Sequence, residues 1–205
     1  WVFREWAPNA TKIFLVGDFN NWEENEKYEA HRIEGTGNWE LKLREKDLRH
    51  GDLYKMHVYW KGGHGERIPA WTRRVVQDDS TKIFSAQVWN PEQPYKWKKK
   101  TFKATKSPLL IYECHIGMAE DEEKVGTYDE FRENVLPRII ADGYNCIQIM
   151  AIQEHPYYGS FGYHVSSFFA ASSRFGTPEQ LKHLIDTAHQ NGIAVIMDIV
   201  HSHAV

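Results

Sequence analysis

Leu109-Leu110-Ile111-Tyr112-Glu113-Cys114-His115-Ile116 is a nearly continuous apolar run of strand length, and it opens a pattern that continues to the end of the chain. A run of this kind is expected of a strand covered on both faces. Thr127 and Glu130 then have the spacing of a capping box. Phe131, Val135, Leu136, Ile139 and Ile140 follow at helical intervals up to Gly143, which predicts a helix kinked or begun afresh at Pro137. Tyr144 to Met150 reads as a second strand. Thr177 and Pro178 open a second helix whose core face is Leu181, Leu184, Ile185 and Ala188, with Asn191 and Gly192 closing it. Ile193 to Val200 supplies a third strand. Strand, helix, strand, helix, strand in that order is the mark of a parallel α/β sheet, with ligands held beyond the carboxyl ends of the strands.

About 98 residues hold these elements, whereas a closed eight-stranded barrel needs about 250. A three-stranded sheet would leave a buried-type edge exposed, which proteins avoid, so the expectation is a truncated barrel. The chain begins at Trp1 instead of Met. That start implies either processing or a longer protein.

Upstream the composition changes. All eight tryptophans lie between Trp1 and Trp97. Short alternating runs (Val2 to Trp6, Lys12 to Val16, Trp39 to Leu43, Leu53 to Trp60, Lys82 to Val88) are separated by turn residues. They predict a small antiparallel β-sandwich over residues 1–90. Residues 91–108 carry Pro94 with Lys96, Lys98, Lys99, Lys100, Lys103 and Lys106, and read as a solvated linker. Residues 109–205 form the second domain.

The 205 residues carry a formal charge of −3 and a pI near 6.4, with 41% hydrophobic residues. That balance argues against nucleic acid and against an anionic membrane as partners. No apolar run is long enough to span a bilayer, and no signal peptide is visible. Cys114 and Cys146 sit in strand-like runs and read as free buried thiols, which suggests a reducing, cytoplasmic setting.

The connection from Ala151 to Gly176 is far longer than the usual two to six residues. It contains Gln153-Glu154-His155-Pro156-Tyr157-Tyr158-Gly159 and Phe161-Gly162-Tyr163-His164. Aromatic rings beside polar groups at the carboxyl end of a parallel strand suit a sugar, and equally suit a loop packed on itself. Asp198, His201 and His203 could form a metal set, but no tight ligand spacing supports it. A triad from Ser202, a histidine and Asp198 lacks the elbow that would hold the serine.

Ile111 to Gly117, Tyr144 to Gln148, Glu154 to Tyr163, Ser172 to Glu179 and Asp198 to Ala204 together resemble the α-amylase-type glycoside hydrolase superfamily. More narrowly they resemble 1,4-α-glucan branching enzymes. Trp6-Ala7-Pro8, Gly17-Asp18-Phe19-Asn20-Asn21-Trp22, Gly37-Asn38-Trp39 and Leu53-Tyr54-Lys55 resemble the carbohydrate-binding module of family 48 that precedes the barrel in such enzymes. The resemblance implies an immunoglobulin-like β-sandwich followed by the first three strands of a (β/α)8 TIM barrel. It also implies an α-1,4-glucan partner such as glycogen or amylose, no cofactor, and a monomeric enzyme. Asp198 and His203 match positions that hold the glucose ring, Tyr163 the aromatic that stacks on it with His164 beside it, and Trp22 and Lys55 the glucan contacts of the module. Trp39 is the weaker ligand candidate. Ser202 stands where many α-amylases have a calcium-linked asparagine, so no metal is expected. The family's nucleophile, acid/base and third carboxylate follow strands four, five and seven, beyond residue 205. Loss of such a catalytic unit costs on the order of 10⁶ in rate, so this chain alone is expected to form no branches in a chain-length assay. The alternatives are an isoamylase-type debranching enzyme and a non-catalytic glucan-binding protein.

Overall fold

The computed structural model describes residues 1–103, 107–202 and 204, which separate into two compact units, Trp1–Glu92 and Gln93–Val205.

The first unit is built from two antiparallel sheets. One contains β1 (Val2–Trp6), β4 (Asn38–Lys42) and β3 (His31–Arg32) in that order. The other runs β2 (Ala10–Gly17), β5 (Leu53–Trp60), β8 (Phe84–Gln87), β7 (Val75–Gln77), with β6 (Gly63–Arg67) also paired to β5. Phe3, Trp39 and Leu41 from the first sheet meet Ile13, Leu15, Met56 and Val58 from the second, a two-layer core. Trp39 is buried and donates its indole N–H to the Ala7 carbonyl at 3.0 Å, which makes it a core residue. The predicted strands from Lys12 and Leu53 lie inside β2 and β5. The one expected from Lys82 begins only at Phe84, because Lys82 takes a left-handed φ of 62°.

The second unit centres on a parallel sheet in which β10 (Cys146–Ile149) lies between β9 (Ile111–Cys114) and β13 (Ala194–Met197). The first helical stretch comprises α1 (Tyr128–Glu130), a π turn over Phe131–Val135, and α2 (Leu136–Ala141). Pro137 sits in the first turn of α2, where its missing N–H does no harm. The second is α3 (Pro178–Gln190). Both are started by reciprocal caps, Thr127 with Glu130 and Thr177 with Gln180. Phe131, Leu136, Ile139, Leu184 and Ala188 bury one face of the sheet against Ile147 and Ile149.

The run from Leu109 was expected to be covered on both faces, and that is corrected at its start. Leu109, Leu110 and Ile111 are exposed, because the helices cover one face only. The long connection after β10 holds an unpredicted hairpin of β11 (Gln153–Glu154) and β12 (Ser167–Ala171), whose register is broken by an irregularity. In the stretch read as linker, the Tyr95 hydroxyl and the Lys98 and Lys99 amides all donate to the buried Asp186 carboxylate on α3, at 2.6, 2.8 and 2.8 Å. Lys106 lies outside the described residues.

Candidate glucan-holding site

In the second unit, Tyr163 and Asp198 are brought together. The Tyr163 hydroxyl donates to Asp198 Oδ2 at 2.8 Å, across thirty-five positions of sequence. Hydrogen bonding to Asp198 pushes the Tyr163 phenol up to about 12. Asp198 follows β13 directly, and its amide still donates to the Ile149 carbonyl at 3.0 Å, so the parallel ladder carries it past the formal strand end. Tyr163 is aimed by the turn before it. Phe161 has a left-handed φ of 53°, Gly162 has 90°, and the Tyr163 amide donates to the Ser160 carbonyl. A Cβ on Gly162 would stand 1.6 Å from the Ala151 carbonyl oxygen, a position only glycine can occupy.

Behind this pair, Gln153 is a strut. Its Nε2 donates to the Phe168 carbonyl at 2.9 Å, and its Oε1 accepts the Val200 amide at 3.3 Å, tying the hairpin to the segment after β13. Glu154 is buried and accepts the Ser173 and His155 amides at 2.8 and 3.1 Å. His155, fully buried, lies with Nδ1 2.9 Å from the Gln153 carbonyl, so that nitrogen carries the proton. Burial holds the His155 imidazole below its ordinary pKa. It shapes the loop and is closed to solvent. His164 is exposed, and His203 lies outside the described residues.

In the first unit, the segment Gly17 to Trp22 forms a locked turn. The Asp18 carboxylate accepts the Trp22 indole N–H at 3.0 Å and the Leu53 amide at 2.8 Å. Asn20 accepts the Gly17 amide and donates to the Leu15 carbonyl. Asn21 and Trp22 both have left-handed φ values, 56° and 61°, which turn the half-buried indole out at the start of β5. Lys55 is bonded at 2.7 Å to Glu66, and its side chain is only 13% exposed. The ammonium therefore holds the Glu66 carboxyl below the usual range.

Lys55 does not stand alone. His57 bridges Glu24 at 3.0 Å and Glu66 at 3.5 Å, the Tyr59 hydroxyl donates to Glu24 at 2.6 Å, and the His64 ring stacks on Tyr59 at 5.2 Å. Burial alone would raise the Glu24 carboxyl, but the donors Tyr59 and His57 outweigh it and hold it low. The chain Trp22-Glu23-Glu24 is thus pinned to the same sheet face that carries Lys55. Sequence reading missed Glu24, His57, Tyr59, His64 and Glu66. Period-two alternation along Leu53 to Trp60 carries the signal for His57 and Tyr59, which share the face of Lys55.

Two family models match the chain. Carbohydrate-binding module 48 (isoamylase N-terminal domain) covers residues 1–78, and the alpha amylase catalytic domain covers residues 142–205. Among curated proteins, the chain is 46% identical to the 1,4-alpha-glucan-branching enzyme of Rhizophagus irregularis and 48% identical to that of Aspergillus oryzae, over 99% of its own length and 30% of theirs. It is 47% identical to the enzyme of that name from Equus caballus, over 98% of this chain and 29% of that one. Among solved structures, a pullulanase from Bacillus acidopullulyticus superposes with TM-score 0.79 at 19% identity, covering 99% of this chain and 28% of the other. A pullulanase from Paenibacillus barengoltzii gives 0.78 at 21% identity, covering 99% and 36%. These two likenesses are of fold alone. The chain spans about 30% of the length of the curated relatives it matches. Both family models match in sequence order, the family 48 carbohydrate-binding module ahead of α-amylase-type catalytic sequence, and along nearly all of its own length the chain is similar to 1,4-alpha-glucan-branching enzymes.

Proposed function

We propose that this chain serves the branching of α-1,4-glucans in glycogen or starch synthesis, as the part that holds the glucan. In this reaction class one carboxylate attacks the anomeric carbon while a second, about 5 Å away, acts as acid and then base. A 6-hydroxyl of glucose, in place of water, accepts the covalently held glucan and forms the α-1,6 branch. This chain contributes the wall against which the ring is held. The Tyr163 ring covers its apolar face and Asp198 accepts from its hydroxyls, with His164 next to Tyr163 in sequence, while the role of His203 rests on the resemblance alone. The observation that carries this reading is the 2.8 Å bond from Tyr163 to Asp198 at the carboxyl end of the parallel strands, where α/β sheets hold their ligands.

In the same reading β9, β10 and β13 are the first three strands of a (β/α)8 barrel, residues 1–90 are an immunoglobulin-like module, and 91–108 join the two. Two buried free thiols, Cys114 and Cys146, favour a reducing, cytoplasmic compartment. The module binds glucan through Trp22 and Lys55. The fixed indole offers a face for stacking, while the Lys55 ammonium and its Glu66 partner offer hydrogen bonds to hydroxyls.

Affinity electrophoresis through glycogen tests the module. The chain is expected to be retarded, and Trp22→Ala to weaken binding about tenfold, the loss of one stacked ring and close to 1.4 kcal/mol. Equal retardation of wild type and Trp22→Ala removes Trp22 from the site.

A further inference from the structure

The first unit also contains a cavity of about 380 Å³, near the lower limit for small-molecule sites and large enough for one or two hexose rings. Its walls include Trp1, Phe19, Tyr54, Trp71, Arg73 and Trp89. Trp1 and Trp71 are 38% and 59% exposed, so indole surface is presented to solvent at this place. Two of the walls, Trp89 and Trp1, are also braced. Trp89 is held edge-on by His50 at 4.6 Å, with the Arg74 guanidinium 5.1 Å from its ring centre. The Trp1 indole N–H donates to the Glu45 carbonyl at 3.0 Å. Rigid rings cost little ordering entropy when a ligand arrives.

Arg73 is exposed, and its guanidinium has no hydrogen-bond or ion-pair partner among the described residues. It brings five donors to an aromatic cavity. Flat aromatic faces together with unspent donors complement a molecule with apolar ring faces and a rim of hydroxyl oxygens. A purely hydrocarbon ligand would leave those donors without acceptors.

The cavity is separate from the Trp22 and Lys55 face for a geometric reason. Tyr54 lines the cavity, Lys55 is its neighbour on β5, and successive strand residues point to opposite faces. Likewise Phe19 lines the cavity while Trp22, at the other end of the same locked turn, is held by Asp18 beside Leu53. One glucan segment cannot lie against both.

We propose that this cavity is a second α-glucan site of the module, in which Trp71 and Trp1 stack on a glucose ring and Arg73 donates to its hydroxyls. The proposal rests on the module being a glucan binder, as argued above. The test follows the indole N–H resonances of the 205-residue chain during a maltoheptaose titration, with Trp1, Trp22 and Trp71 assigned through Trp→Phe variants. The Trp71 resonance is expected to shift with its own saturation curve, to keep shifting in Trp22→Ala, and to respond about fivefold more weakly in Arg73→Ala. The dispersion of the remaining indole signals reports that each variant is folded. A Trp71 resonance that stays fixed while Trp22 titrates overturns the second site and leaves the module's binding intact. Fixed resonances for both overturn the second site together with the reading on which it rests.

Discussion

Gly162→Ala is expected to destabilise the second unit by more than about 3 kcal/mol and to remove the wall formed by Tyr163 and Asp198. Two independent costs act at this residue. Its φ of 90° is one that L side chains rarely adopt. The new Cβ would also stand 1.6 Å from the Ala151 carbonyl oxygen and 2.6 Å from its carbon, backbone atoms with no rotamer to escape into. Ala151 is itself buried beside Val165 and Val200, so it cannot retreat. The turn must therefore open, and Tyr163, the next residue, swings away from Asp198. Gly192→Ala is the matching control. It has a φ of 78° with nothing within 4 Å of the added carbon, so about 1 kcal/mol of backbone strain is all it should cost. Urea unfolding of both variants separates the two contributions. A loss below about 1 kcal/mol at Gly162 would mean that the turn is not fixed as described.

That glycine also shows what sequence can and cannot disclose. Local chemistry was readable. The Thr127/Glu130 box was written in the spacing, and the structure forms it, with the Thr127 amide 2.9 Å from Glu130 Oε2. Pro137 beside a helix start was likewise predictable from its missing N–H. The order of parallel strands followed from alternating elements. What escaped depends on partners distant in sequence. Gln153 and Glu154 are too few to read as a strand. They become one by pairing with β12, Gln153 opposite Ala171 and Glu154 opposite Ser167, and the Gln153 side chain then reaches the Phe168 carbonyl and the Val200 amide, fifteen and forty-seven residues away. Asp198 and Tyr163 were each singled out by resemblance, yet no period in the sequence sets the distance between them. On the module, alternation along β5 identifies the neighbours of Lys55, but Glu24 reaches that face only through the left-handed pair at Asn21 and Trp22, a turn geometry that asparagine tolerates and tryptophan rarely adopts.

Asp186 carries the other large effect. It is wholly buried on α3 and accepts the Tyr95 hydroxyl and the Lys98 and Lys99 amides, all within 2.8 Å. Truncation to alanine leaves those three neutral donors without their acceptor, and is expected to cost about 3 kcal/mol, the upper end of the range for stranding buried hydrogen-bonding groups. Asp186→Asn keeps the shape, but its amide opposes donors with a donor, so an intermediate loss is expected. The pH dependence has a definite sign. Burial pushes the Asp186 carboxyl up, but the donors Tyr95, Lys98 and Lys99 outweigh it and hold the folded-state pKa below its ordinary value. A carboxyl lowered in the folded state stabilises above its unfolded value of about 3.9, and that contribution drains as pH falls toward the folded value. The stability gap between wild type and Asp186→Asn should therefore narrow as pH drops from about 5 to about 3, since only the wild type has this carboxylate to lose. Hydrogen exchange supplies the structural readout. The Lys98 and Lys99 amides should lose protection in Asp186→Ala well before the amides of β10, because three hydrogen bonds to one carboxylate fasten that segment to α3, whereas β10 is held by parallel ladders on both sides. Simultaneous loss of protection in both would make Asp186 a member of the cooperative core and not the fastening of the segment that crosses it.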